Sequence, residues 1–153
     1  FFAFYLVQNN LDFNGIYNFE EQYDGMDNFL DLVMKFLNIQ TNQKIEEYFD
    51  LYQTRLLLAL KLFEISSTRP FSRTGYSVVN MNIFETWMLI LSQFDISIIE
   101  ENEKLFSEVY ESILKSNDFI DNILYLRDQK DRIIWRLNFI SSKIKEINLK
   151  LGE

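Results

Sequence analysis

The chain has 153 residues, of which 48% are hydrophobic and 16% aromatic, and its formal net charge is −8. This composition excludes an intrinsically disordered chain and predicts a single folded domain, residues 1–153, with a sizeable core. The sequence contains no histidine and no cysteine. That absence excludes zinc sites built on those residues, a cysteine nucleophile and a catalytic triad that needs histidine. With 4 glycines and 1 proline, long helices are favoured over a β fold, which needs many turns.

The chain opens on the apolar run FFAFYLV, and we predict that Phe1 to Gln8 is the end of a helix. Because this run starts with phenylalanine rather than methionine, we expect a fragment or the C-terminal part of a longer protein. The run is much shorter than the roughly 20 residues of a membrane span, and it lacks the basic region of a signal peptide. We therefore predict a cytoplasmic protein without a membrane partner.

Residues 9–25 are rich in Asn, Asp and Gly and predict a loop. Four aromatic side chains within it are expected to pack the loop against the body of the domain. They are Phe13, Tyr17, Phe19 and Tyr23.

Two helices are predicted next. Asp24 is a candidate N-cap for a helix that runs to about Asn38, and Thr41 caps a longer helix that runs to about Ser66. The C-terminal half of the longer helix has apolar residues on two faces, so we expect it to be buried nearly all round. These residues include Leu56, Leu57, Leu58, Leu60 and Leu62.

The stretch from Asn80 to Phe94, NMNIFETWMLILSQF, is among the most apolar in the chain. It follows a loop that contains the only proline, Pro70, and Asn80 can cap it. We predict an all-α fold in which an orthogonal or irregular bundle of about six helices surrounds this central helix, residues 80–94.

After the central helix, Ser97 and Glu100 form a capping-box pattern that predicts a helix to about Lys115. Residues 116–118 break it, and a short helix runs to Leu124 before the last helix starts near Asp128. Apolar residues of the last helix recur at heptad spacing. They are Ile133, Leu137, Ile140, Ile144, Ile147 and Leu151. This seam predicts packing within its own bundle or, as the alternative, pairing with a second chain in a homo-oligomer.

Glu85 lies one turn into the central helix, where a buried carboxylate is costly unless it is paired. Arg69 and Arg73 lie shortly before it in the sequence. The favoured interpretation is an Arg–Glu ion pair that fixes the preceding loop. One alternative is an anion site, in which both arginines and the N-terminus of the helix at Asn80 bind a phosphate. Another is that the same residues contact an adjoining domain.

Between Arg127 and Glu153 there are seven Lys and Arg against four Asp and Glu, a local charge of +3, so the rest of the chain carries −11. Arg132, Arg136 and Lys143 share a rough face of the last helix. That face could contact a nucleic-acid backbone or a partner, but ion pairs with the acidic remainder are favoured. No catalytic set, metal site or cofactor site is predicted.

Several blocks in order resemble a known family. They are FFAFYL near the start, DGMDNFLDLVMKFLN (Asp24 to Asn38), FDLYQTRLLLALKLFE (Phe49 to Glu64), the loop with Arg69 and Phe71, and NMNIFE (Asn80 to Glu85). The pattern is similar to the C-terminal helical half of a domain of unknown function. That domain is found in the type IV restriction endonucleases of the GmrSD family and in related phage-defence proteins.

In that bacterial family, the N-terminal half resembles a ParB/sulfiredoxin-like domain and carries an Asp-Gly-Gln-Gln-Arg motif linked to nucleotide hydrolysis or nuclease activity. The motif is absent here, because the only Asp-Gly, Asp24–Gly25, is followed by Met and Asp. An appended HNH nuclease would need histidines. The resemblance therefore implies a non-catalytic accessory module whose partner is the catalytic half of a parent NTP-dependent nuclease. Nucleic acid is an expected partner through that parent. The alternative is a free-standing interaction or dimerisation domain that uses the heptad seam.

Overall fold

The computed structural model describes residues 1–9, 19–65, 71–72, 78–124 and 130–152. Within these ranges the regular structure is α-helical and no β-strand occurs, so the all-α prediction is confirmed. The helices are α1 (Phe2–Gln8), α2 (Phe19–Gln22), α3 (Met26–Asn38), α4 (Asn42–Ile65), α5 (Met81–Leu91), α6 (Ile96–Glu101), α7 (Glu103–Lys115), α8 (Asn117–Leu124) and α9 (Lys130–Leu151).

Two helix starts form as the sequence predicts. The Asn80 side chain accepts hydrogen bonds from the backbone N–H groups of Asn82 and Ile83, at 2.9 and 3.2 Å, and so caps α5. The Thr41 hydroxyl accepts one from the Lys44 N–H at 3.2 Å and caps α4 in the same way.

Other predicted boundaries are wrong. Gly25, with φ 148°, precedes α3 in place of Asp24, whose carboxylate accepts a hydrogen bond from the Asn28 side chain instead. Asp95 precedes α6, so Ser97 lies inside that helix rather than capping it.

The chain also forms more helical segments than the six or so predicted. The long helix expected up to Lys115 breaks at Asn102, whose side chain bonds back to the Ile98 carbonyl. A side chain that competes for backbone groups in this way favours a helix end. A short helix, α2, forms within residues 9–25, where only a loop is predicted.

In residues 9–25, the two aromatic side chains that the structure describes pack against the neighbouring helices. Phe19 and Tyr23 are buried, and the Phe19 ring lies 5.1 Å from Phe29 of α3 and 6.5 Å from Phe4 of α1. Phe13 and Tyr17 lie outside the described residues. Edge-to-face contacts of this kind hold α1, α2 and α3 together.

Helix α5 is the most buried of the longer helices. Seven of its 11 residues are buried, and the run from Thr86 to Leu91 is continuous. Helices α4, α9 and α1 pack against it, and the Trp87 ring contacts Tyr110 of α7 at 5.1 Å between centroids. The connection before α5 is packed as well, because Phe71 is buried with its ring 4.9 Å from Phe84.

The heptad seam of α9 faces the inside of the same domain. Ile133, Ile140 and Ile147 are at most 1% exposed, and the alternating seam residues Leu137, Ile144 and Leu151 are partly buried against the same core. Intramolecular packing therefore occupies the surface that pairing with a second chain would need.

The observed burial of α4 differs from the prediction. Among the side chains of α4 that the structure describes, those on one side are buried, whereas Leu57 and Leu60 are 63% and 41% exposed. The expectation that its C-terminal half is buried all round is therefore wrong. The other helices cover one face of α4 and leave the opposite apolar face at the surface.

Thr86 of α5 offers a test of this core. Its hydroxyl is buried without a hydrogen-bond partner in the described part of the chain. We expect Thr86→Val to raise the free energy of unfolding by about 1 kcal/mol, because a methyl group of equal size replaces an unsatisfied polar group. Urea denaturation measures the change.

The matched control is Thr54→Val in α4, whose partly exposed hydroxyl donates to the Asp50 carbonyl at 2.6 Å. We expect a change within about 0.5 kcal/mol there. A loss of stability in Thr86→Val larger than in the control would show that the Thr86 hydroxyl has a partner in solution.

Candidate functional site

Arg136 of α9 reaches the first turn of α5. Its guanidinium donates to Glu85 Oε2 at 3.0 Å and to the side-chain oxygen of Asn82. The same guanidinium lies 5.0 Å from the centroid of the Phe4 ring of α1. One side chain therefore joins α9, α5 and α1.

This ion pair is largely withdrawn from water, since the side chains of Arg136 and Glu85 are 9% and 19% exposed. Burial lowers the pKa of Arg136, and the charge and hydrogen bond of Glu85 oppose that shift. Removing one partner of such a pair leaves the other charge uncompensated. The arrangement is therefore a structural clamp whose members depend on each other.

The sequence predicts an arginine partner for Glu85, and in the described part of the chain that partner is Arg136. The predicted partners Arg69 and Arg73 lie outside the described residues. Since Arg136 is buried, it is also not part of an exposed basic face with Arg132 and Lys143. Asn80, the remaining residue of the predicted anion site, is engaged as the α5 cap.

A second buried arginine, which the sequence analysis missed, holds the other end of α5. Arg55 of α4 donates from Nε to the Leu91 carbonyl at 2.9 Å and from a terminal nitrogen to the Phe94 carbonyl at 2.8 Å. The Leu91 carbonyl also accepts a longer hydrogen bond from the Phe94 N–H at 3.4 Å, and Phe94 lies three residues beyond the end of α5. A cation near a helix C-terminus also favours the helix dipole. Burial lowers the pKa of Arg55, and Asp95 and Tyr5 oppose the shift.

A signal for Arg55 was present in the spacing. Arg55 lies seven residues from both Tyr48 and Leu62, which are buried on the inner face of α4. A charged residue that lies two turns before one buried apolar residue and two turns after another is on the same face of the helix as both. A charge buried on that face needs an ion-pair or hydrogen-bond partner.

Neither arginine cluster resembles a catalytic centre. The guanidinium groups are engaged with Glu85, Asn82 and main-chain carbonyls. Across the described residues, no group of three or more Asp and Glu side chains is placed to hold a metal ion. The buried polar chemistry of the described part therefore stabilises α5.

On the outer side of α9, the basic residues form local ion pairs. Glu146 accepts from Lys143 and from Lys150, each at 2.8 Å, and these hydrogen bonds lower the pKa of Glu146. Arg132 is half-buried, and the Lys143 ammonium also lies 5.7 Å from the Phe139 ring. This basic surface is thus partly neutralised by a residue of the same helix.

The clearest candidate for a binding surface is on α4. We define the α4 face as Phe49, Gln53, Leu57 and Leu60, which lie on one side of the helix and are all exposed. Phe49 and Leu57 are 57% and 63% exposed. Tyr48, Leu58, Ala59 and Leu62 are buried on the opposite side. Contiguous exposed apolar residues of this size commonly mark a protein interaction site.

Comparison of the chain with protein-family models, with curated proteins and with solved structures finds no match. None of the helices in the described ranges is both long and apolar enough to cross a membrane. The resemblance to the GmrSD-type family stays a prediction from the sequence.

The clamp at the start of α5 can be tested with a double-mutant cycle. We expect Arg136→Met to lower the free energy of unfolding by about 3 kcal/mol, because it leaves Glu85 partly buried without its guanidinium partner. The further change Glu85→Gln should cost much less in that background than alone, since coupled groups are not additive. Urea denaturation of the four proteins gives the coupling energy.

Lys150→Met is the control for a charge change on α9, because Lys150 and its partner Glu146 are partly exposed. Exposed pairs of this kind contribute up to about 1 kcal/mol. Additive effects of Arg136→Met and Glu85→Gln would contradict the clamp.

Arg55 predicts a graded series. Arg55→Met should lower the free energy of unfolding by about 3 kcal/mol, because two carbonyls lose charge-assisted hydrogen bonds. Arg55→Lys should recover only part of this loss, since an ammonium lacks the planar fork that serves both carbonyls. Thermal and urea denaturation measure both, with Lys35→Met on the exposed side of α3 as the neutral control. Full recovery in Arg55→Lys would show that charge alone holds the end of α5.

Proposed function

We propose that this chain is a non-catalytic helical accessory module that binds another polypeptide through the α4 face. The observation that supports this most is the exposure of Phe49, Leu57 and Leu60 on a helix that buries Tyr48, Leu58, Ala59 and Leu62 on its other side. Burying large apolar side chains against a partner gives a favourable free energy roughly proportional to the area covered.

The fate of the buried charges supports the non-catalytic part of the proposal. Arg55 and Arg136 are engaged at the two ends of α5, and the sequence lacks histidine and cysteine. Catalytic groups usually lie in clefts with perturbed pKa values and reach a substrate. In the described part of the chain, the strongly buried charges contact protein groups instead.

The resemblance noted in the sequence suggests the partner. In the GmrSD-type arrangement it is the catalytic half of a larger restriction or phage-defence protein, which this module braces. The seam of α9 is a weaker candidate interface, because its residues are packed in the core of this same domain. The free-standing dimerisation domain, the alternative function, would therefore use another surface.

The test begins with copurification. The proposed catalytic half, a polypeptide that carries the Asp-Gly-Gln-Gln-Arg motif, is produced with a tag, together with this chain as a separate polypeptide. We expect the two to copurify, and we expect Phe49→Ser/Leu57→Ser to weaken the complex by at least about tenfold, as loss of central apolar contacts does at protein interfaces. The isolated chain should neither hydrolyse nucleotides nor cleave DNA.

Leu149→Ser is the matched control, because Leu149 is 77% exposed on α9 and lies outside the α4 face. Nucleotide hydrolysis or DNA cleavage by the isolated chain would overturn the non-catalytic assignment. Equal weakening by the control and the α4 variant would overturn the assignment of the binding surface.

A further inference from the structure

The N-terminal end of the α4 face is acidic. Glu46 and Asp50 lie three residues before and one residue after Phe49, and all three are exposed. The two carboxylates are four residues apart, so they are neighbours on the helix surface and repel each other. In the described part of the chain neither forms an ion pair.

The lysines of α4 do not neutralise this end. Lys44 pairs with Glu47 at 2.8 Å, and Lys61 pairs with Glu103 of α7 at 2.6 Å. The surface is therefore an apolar ridge with two uncompensated negative charges at one end. A cation supplied from outside would relieve their repulsion.

The shape of the ridge favours a helix as the bound element. Phe49, Gln53, Leu57 and Leu60 follow intervals of four, four and three along α4, which is the row that packs into the grooves of another helix. The ridge is about 16 Å long at the rise of an α-helix, so a partner helix of about three turns covers it.

A second copy of this chain fits this ridge poorly. In an antiparallel pair centred on Gln53, Phe49 would face Leu57, but Glu46 would face Leu60 and Asp50 would face Leu56. Both carboxylates would then lose water against apolar side chains, which is unfavourable. In a parallel pair the like charges would meet.

We propose that the α4 face binds an amphipathic helix of another polypeptide that carries apolar residues at helical spacing and Lys or Arg where it meets Glu46 and Asp50. This inference rests on the proposed function and specifies the chemistry of the partner. The apolar side chains supply affinity, and the basic residues fix the orientation of the helix on the ridge.

The test uses the full chain and two synthetic helical peptides of about 18 residues, a length at which helix formation becomes practical. Both have leucine at the positions that cover the ridge. One carries lysine at the flanking positions and the other glutamate. Binding is measured by fluorescence anisotropy at low and at high salt, and circular dichroism confirms that each variant is folded.

We expect the lysine peptide to bind and the glutamate peptide to bind at least about tenfold more weakly, with the difference reduced by salt. Glu46→Gln/Asp50→Asn should weaken binding of the lysine peptide by about fivefold, in line with the loss of two charges at the rim of an interface. Asp118→Asn/Asp121→Asn on α8 makes the same change of net charge at exposed positions and should leave binding unchanged. Phe49→Ser/Leu57→Ser should abolish it.

Three results would overturn the inference. They are equal binding of the two peptides, equal weakening by the α4 and α8 charge variants, and a concentration-dependent dimer in light scattering that Phe49→Ser/Leu57→Ser removes. Binding that ignores peptide charge would refute the basic partner but leave the proposed function standing. The proposed function fails separately, if the proposed catalytic half does not copurify with this chain or if the isolated chain is catalytic.

Discussion

The two ends of α5 impose the main constraint on this fold. Its middle is buried from Thr86 to Leu91, and other protein groups serve as partners for polar groups at both of its ends. Asn80 and the Arg136–Glu85 pair satisfy the start, and Arg55 satisfies carbonyls at the end. The helices that pack on α5 thus supply both the apolar contacts and the charges that complete it.

The predictions that succeed depend on local patterns. Asn80 caps α5 because its side chain bonds to N–H groups two and three residues later, and this can be read from the sequence alone. The all-α fold follows from helical periodicity and the scarcity of Gly and Pro. The sequence also predicts that Glu85 needs a counter-charge, because this residue lies in an apolar stretch.

The features that the sequence does not reveal depend on contacts between distant residues. Arg136 is 51 residues from Glu85, so nothing local identifies it as the partner, and the predicted partners Arg69 and Arg73 lie outside the described residues. On α4, apolar residues surround the C-terminal half, and periodicity cannot show which face the other helices cover. The exposure of Leu57 was therefore visible only in three dimensions. A charged residue at core spacing, such as Arg55 or Arg136, is the sequence signal that would have improved the assignment.

The two tryptophans of the chain lie in contrasting surroundings. Trp87 on α5 is 1% exposed, and its indole N–H has no acceptor among the described residues. Trp135 on α9 is only partly buried, and its ring stacks on Phe139 at 5.2 Å. An indole without polar neighbours emits at shorter wavelength than one that meets water. The protein therefore contains its own optical reporter of core hydration, because emission from Trp87 shifts as soon as water reaches α5, even while the helices remain formed.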